Sequence, residues 1–154
     1  MTYYGNTSLL DLHAHGFLCS RSTKSSVILP CLDWAVEHAH GSNPVMSTFH
    51  SEMEDAVLDM LIPGTCPIIL VLGRRLYCEL PKKLLPLKDS DRLLMVSVAD
   101  QERISRKSAL LCNQFICEKA IDLTFGFLSP ESSLIPLQQE ALKHHKSVTV
   151  ITQL

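Results

Sequence analysis

The sequence predicts an α/β domain in which a doubly wound, mostly parallel sheet of about six strands carries helices on both faces. Three observations lead there. Short runs rich in branched and apolar residues alternate along the chain with segments whose apolar residues recur at helical spacing. One of those runs, Pro67 to Leu72 (PIILVL), is continuously apolar, as a strand buried on both faces must be. Charged residues make up only 19% of the chain against 46% hydrophobic, which suits a sheet with little surface left to solvate. At 154 residues the chain fits a single domain, 1–154, able to bury a core without disulfide or metal staples.

The elements follow in order. Gly16 to Ser20 (GFLCS) is a short apolar run opening into the polar stretch Ser20 to Ser26 (SRSTKSS), a first strand with a ligand loop. A helix comes next, capped by Ser25 or Ser26, with Pro30 in its first turn and Ile28, Leu32, Ala35, Val36 and Ala39 as its apolar stripe. Gly41 stops it. Val45 to Thr48 is a second strand, and Ser51 with Glu54 forms an S-x-x-E capping box. The helix it opens has Met53, Val57, Met60 and Leu61 on one face and ends at Pro63 and Gly64. Pro67 to Leu72 is the third strand, and Leu80 to Lys88, bounded by Pro81 and broken by Pro86, holds at most a short helix. Arg92 to Val98 (RLLMVSV) is the fourth strand. Ser105 to Lys119 is a helix with Ala109, Cys112, Phe115, Ile116 and Ala120 inward, and Ile121 to Leu128 is the fifth strand. Ser132 or Ser133 caps a last helix, with Pro136 in its first turn and Leu134, Leu137, Ala141 and Leu142 inward, before the final strand Ser147 to Thr152 (SVTVIT). Right-handed crossovers then make the sheet parallel and doubly wound.

A net charge of −2 and a pI near 6.4 exclude the electrostatic footprint of a strong duplex-DNA binder. The six cysteines show no C-x-x-C pair and sit mostly in apolar runs, as free thiols of a reducing cytoplasm do. No signal-peptide pattern and no uninterrupted apolar stretch of membrane-spanning length occurs, so the expected location is cytoplasmic, without membrane attachment. The P-loop, G-x-G-x-x-G and G-x-S-x-G signatures are absent. His13 with His15, and His38 with His40, have the spacing of a partial metal site but no third ligand; on a helix such a pair diverges by about 200°. Neither metal nor cofactor is expected.

Three loops leave the carboxyl ends of predicted strands rich in small polar residues: Ser20 to Ser26, Ser47 to Ser51 and Ser129 to Ser133. In a doubly wound sheet those ends share one edge, where the loops can meet in a single crevice. Each serine also suits a helix cap, and the loop chemistry alone leaves both readings open. Arg21 and Lys24 supply positive charge for a phosphate, and Thr23 with its neighbouring serines supplies hydroxyl donors. Around the second loop, which presents Ser47, Thr48, His50 and Ser51, the carboxylates Glu52, Glu54 and Asp55 already complement the helix dipole. They suit a ribose or base edge better than a phosphate. Arg74 and Arg75, and Arg103, Arg106 and Lys107, are the other clustered cations.

The segments GFLCSRSTKSSVIL, STFHSEMEDAVLDMLIPGTCPIILVLGRRL with a downstream LP, RLLMVSV and ALLCNQFICEKAIDLTFGFLSPESSL resemble, in order and spacing, the small stand-alone bacterial members of the DprA (Smf)-related family. That family lies in a wider Rossmann-like group that includes lysine-decarboxylase-like nucleotide hydrolases. The resemblance implies a Rossmann-like fold, an anion-accepting pocket lined by the first two strand-end loops and the loop after the fifth strand, and single-stranded DNA as ligand. Residue by residue it implicates Ser20, Arg21, Ser47 through Ser51, Asn113, Ser129, Ser132 and Ser133. Two features depart from the family pattern. Cys112-Asn113-Gln114 stands where R-N-R is typical, and Ser47 to Met53 replaces a glycine-rich G-x-A-x-G-I-D segment. The P-G-G-x-G-T-x-x-E motif of the phosphoribohydrolases is absent, so their activity is not implied. The expected function is a non-catalytic module binding a nucleotide or single-stranded nucleic acid. An enzyme using His50 and Glu54 as acid and base, and a self-associating interaction domain forming a homodimer, are the alternatives.

Overall fold

The computed structural model describes residues 1–151. They build one seven-stranded sheet: β1 (Thr2–Gly5), β2 (His15–Leu18), β3 (Val45–Ser47), β4 (Ile68–Leu72), β5 (Leu93–Ser97), β6 (Asp122–Phe125) and β7 (Ser147–Val150). The helices are α1 (Ile28–Ala39), α2 (Glu52–Leu61), α3 (Leu85–Asp89), α4 (Arg106–Lys119) and α5 (Leu134–Lys143). In space the strands run β1-β5-β4-β3-β2-β6-β7, all neighbours parallel except β1 against β5. The fold is Rossmann-like and doubly wound, as the residue pattern predicts.

The sequence reading finds six of these strands and misses β1. Its four residues, TYYG, are all exposed and show no alternation. They join the sheet through backbone pairing at the edge, Thr2 opposite Ser97 and Gly5 opposite Leu94, a signal carried by the partner strand. The predicted last strand ends inside its expected span at Val150, and Thr152 lies outside the described residues.

Two apolar layers sandwich the sheet. Phe17, Val45, Ile68, Leu70, Leu93 and Met95 point toward α1, α2 and α3, where Ala35, Val57, Leu61 and Leu87 meet them. Leu18, Met46, Ile69, Val71, Leu94 and Phe125 point the other way, toward Cys112, Phe115 and Ile116 of α4 and Leu134 and Ala141 of α5. Every residue of β4 and β5 is buried, which explains their unbroken apolar runs. Gly16 in β2 lets α4 approach closely: a Cβ there would lie 2.8 Å from Leu123 Cδ2 and 3.0 Å from Ile116 Cγ2.

Inward faces differ from the expected stripes where two apolar residues compete for one position. In α1, Cys31, Ala35 and Ala39 are buried whereas Ile28 and Val36 are 43% and 46% exposed. In α2, Leu58 takes the buried place and Met60 turns outward, and in α5 Leu142 is exposed. Neighbouring helix positions are about 100° apart, so the direction of the sheet decides which faces in. Ser25 and Ser26 lie in a 3-10 turn, Ser25–Val27, and no side chain caps α1. Two helix ends are closed from a distance. Arg92 donates to the carbonyls of Leu61, Ile62 and Cys66 at and beyond the end of α2, and Lys146 to those of Cys117, Glu118 and Ala120 at the end of α4.

All six cysteines are free. Burial pushes the thiols of Cys31 and Cys112 up to about 12 and that of Cys117 to about 11, which keeps them protonated and inert. At the amino-terminal end of the strands, His15 Nδ1 meets the Asp122 carboxylate at 2.9 Å, and His38 stacks on Trp34 with ring centroids 4.2 Å apart. Among the described residues no cluster of metal-ligating side chains occurs, and no helix is long and apolar enough to cross a membrane.

Candidate functional site

The strand order reverses at β2. From β2 the chain winds one way through β3 and β4 to β5, then α4 carries it back to place β6 on the other side of β2. A crevice outside the carboxyl ends of strands is the expected consequence of such a switch. One of about 640 Å³ opens there.

All three predicted loops reach it. The first contributes Ser20 and Arg21, the second Thr48, His50 and Ser51, and the third Ser129, Ser132 and Ser133. Asn113 on α4 forms part of the opposite wall, and its side chain makes no hydrogen bond among the described residues. Three candidates do not line the crevice. Ser47 is fully buried and its Oγ accepts from the Phe49 N–H, holding a turn in which Phe49 has φ 49. A bulky residue in that left-handed region is unusual and marks a turn that its surroundings enforce. Thr23 turns back to the Ser20 carbonyl, and Lys24 lies over the Phe127 ring, 5.9 Å from its centroid.

The loops are joined by Glu54, only 4% exposed. Its Oε1 accepts from Thr48 Oγ1 at 2.6 Å and from the N–H groups of His50 and Ser51, while Oε2 accepts from the Cys19 N–H at 3.0 Å. The capping box expected from the sequence is present, with Ser51 Oγ accepting from the Glu54 N–H. The bond to Cys19, 35 residues away, ties the end of β2 to the start of α2. Burial pushes the Glu54 carboxyl up; the bonds from Thr48, Cys19, His50 and Ser51 oppose that shift without cancelling it. Three donors converge on Oε1 and one on Oε2, the work of an ionised carboxylate that accepts only. Glu54 therefore serves as a clamp between loops, and it meets His50 through the backbone N–H of that residue, not through its imidazole. A second tie connects the first and third loops: Ser20 Oγ accepts from the Ser129 N–H at 3.1 Å. Ser132 Oγ accepts from the Leu134 N–H at the start of α5, while Ser133, at the N-cap, makes no such bond.

The charge on the crevice comes from Arg21 and from Arg106, the first residue of α4, neither of which forms an ion pair among the described residues. Glu131 is the exposed carboxylate on the wall. Arg106, Ser22 and Glu131 join the crevice without being among the residues that the sequence singles out for it. The crossover that brings α4 over the sheet has no local signature.

A doubly wound sheet with a polar crevice at its switch point defines a Rossmann-like α/β protein. Within that class the chain has a DprA-like fold. It superimposes on DNA processing protein A of Helicobacter pylori, solved to study its single-stranded DNA binding mode, with a TM-score of 0.77 and 16% identity over 96% of this chain and 69% of that one. It superimposes equally well on DNA processing protein A of Streptococcus pneumoniae (TM-score 0.77, 16% identity), covering 96% of this chain and 53% of that one. The chain thus spans about half the length of the pneumococcal protein. No family model and no curated protein matches the sequence.

Proposed function

We propose that this protein is a non-catalytic binding module for a phosphate-bearing ligand, a nucleotide or single-stranded DNA, held in the crevice at the switch point. One observation carries the reading: three loops distant in sequence meet at one crevice, cross-tied by Glu54 and Ser20, with Arg21 and Arg106 unpaired among the described residues on its walls. Serine and threonine hydroxyls and the Asn113 amide supply neutral hydrogen bonds, and the two guanidinium groups supply charge for phosphate. The resemblance in fold to proteins that process DNA favours a strand as the ligand.

The test is titration of a labelled single-stranded oligonucleotide, and of nucleotides by thermal shift, at several salt concentrations. Binding should weaken as salt rises, and Arg21→Ala or Arg106→Ala should each reduce the slope of log affinity against log salt by about 0.7, the contribution of one phosphate contact. Ser51→Ala should reduce the thermal stabilisation by nucleotides. Absence of binding to every nucleotide and oligonucleotide refutes the proposal.

A further inference from the structure

Two outward faces, on opposite sides of the sheet, interleave exposed apolar residues with unpaired charge of opposite sign. On α1, Leu29, Asp33, Val36 and Glu37 fall within about 100° of arc, on the side away from the buried Cys31, Ala35 and Ala39. Leu29 is 66% exposed and Val36 46%, and neither Asp33 nor Glu37 joins an ion pair among the described residues. Packed beside α1, α2 adds the exposed Met60, while its Asp55 and Asp59 are taken by Lys83. Neither helix contains a lysine or an arginine. The start of α4 is the counterpart. Leu110 and Leu111 are 40% and 41% exposed, Lys107 lies one turn ahead of Leu111, and Arg103 precedes the N-cap Ser105. Arg103 and Lys107 also join no ion pair among the described residues, and no acid stands in the first turn of α4. Cations there face the positive end of the helix dipole, a local cost that a carboxylate from outside relieves. Glu118, the acid of this helix, is three turns beyond Lys107, about 16 Å along the axis.

We infer that these two faces dock on one another in successive copies of this chain, α1 of one copy against the first half of α4 of the next, whether or not the crevice is filled. Asp33 and Glu37 then meet Arg103 and Lys107, and Leu29 and Val36 meet Leu110 and Leu111. An exposed leucine by itself is ordinary on a protein surface; two groups of apolar side chains, each framed by unpaired charge of one sign, are complementary surfaces. With 12 and 14 residues the helices also match in length, at about 18 and 21 Å. The pairing is heterologous, because like faces set charges of the same sign against each other. α1 covers the sheet face of Phe17 and Ile68, and α4 that of Leu18 and Ile69, so a copy engaged through one face presents the other to a further copy. Arg106, on the crevice side of α4, is not needed for the contact. One helix against one helix is a small interface of the transient class, so association is reversible and sensitive to salt.

Sedimentation velocity and light scattering of the full chain over a range of concentrations test this. Wild type should pass from monomer to species larger than a dimer, or to a closed ring, and revert to monomer as salt rises from about 0.1 M to 1 M. Leu29→Gln with Val36→Gln, and separately Lys107→Gln with Leu111→Gln, change exposed side chains only and should each leave a monomer. An equimolar mixture of those two variants should form a dimer and stop there, because one intact face of each kind remains. Charge reversal supplies an independent route. Asp33→Lys with Glu37→Lys, or Arg103→Glu with Lys107→Glu, should abolish association, and the chain carrying all four reversals should regain it. Far-ultraviolet circular dichroism of each variant separates lost docking from lost folding. A wild type that stays monomeric up to about 1 mM, an assembly that survives either pair of glutamine substitutions, or a mixture of the two glutamine variants that remains monomeric overturns the inference.

Discussion

Replacing Glu54 with glutamine keeps the shape of the side chain and removes one acceptor. Oε1 serves Thr48, His50 and Ser51, and Oε2 serves the Cys19 N–H. A carboxamide has one oxygen. Placed toward the α2 end, it leaves its NH2 facing the Cys19 N–H; turned around, it abandons the N–H groups of His50 and Ser51. Either orientation leaves a donor unpaired at a site that is 4% exposed, and a buried donor without a partner costs about 1–3 kcal/mol. Urea unfolding at pH 7 should therefore show Glu54→Gln destabilised by about 1–3 kcal/mol with an unchanged m-value. The pH dependence carries an independent sign. Burial raises the folded Glu54 carboxyl above its ordinary value of 4.5, so folding favours the protonated form. That contribution is complete below the unfolded value and is lost as pH rises through the folded one. The advantage of wild type over Glu54→Gln should accordingly shrink as pH increases above 4.5. A glutamine variant as stable as wild type would refute the clamp, and an advantage that grows with pH would refute the dominance of burial.

Two further substitutions probe the supports of the same crevice. Ser20→Ala removes the acceptor of the Ser129 N–H and should cost about 1 kcal/mol while weakening oligonucleotide affinity, because the third loop loses its tie to the first. Unchanged stability and affinity in that variant would show the contact to be incidental. Arg92→Met keeps much of the aliphatic stem but strips three carbonyls near the end of α2 of their donors, and a loss of about 2 kcal/mol in chemical denaturation is expected. A change below about 0.5 kcal/mol would mean that water replaces the guanidinium at no cost.

How much of this was legible beforehand follows from how local each signal is. The class of fold was written in the chain, because continuous apolar runs such as PIILVL and the helical spacing of α2 and α4 are short-range patterns of burial. The capping box at Ser51 and Glu54 was equally local, and so was the concentration of hydroxyl residues at strand ends. Those patterns determined that the protein is a doubly wound α/β sheet with polar loops along one edge. Tertiary structure alone decided what the loops do together. Glu54 became a clamp because β2 and α2 meet across 35 residues, and Arg106 reached the crevice because α4 crosses the sheet. Ser47 and Lys24, chemically as suited as their neighbours, were turned toward a turn amide and an aromatic ring. The edge strand β1 depended on β5 for its identity, and the inward faces of α1 and α2 depended on where the sheet lay. Local periodicity specifies which surfaces must be buried; only the packed chain specifies which distant groups then share a wall.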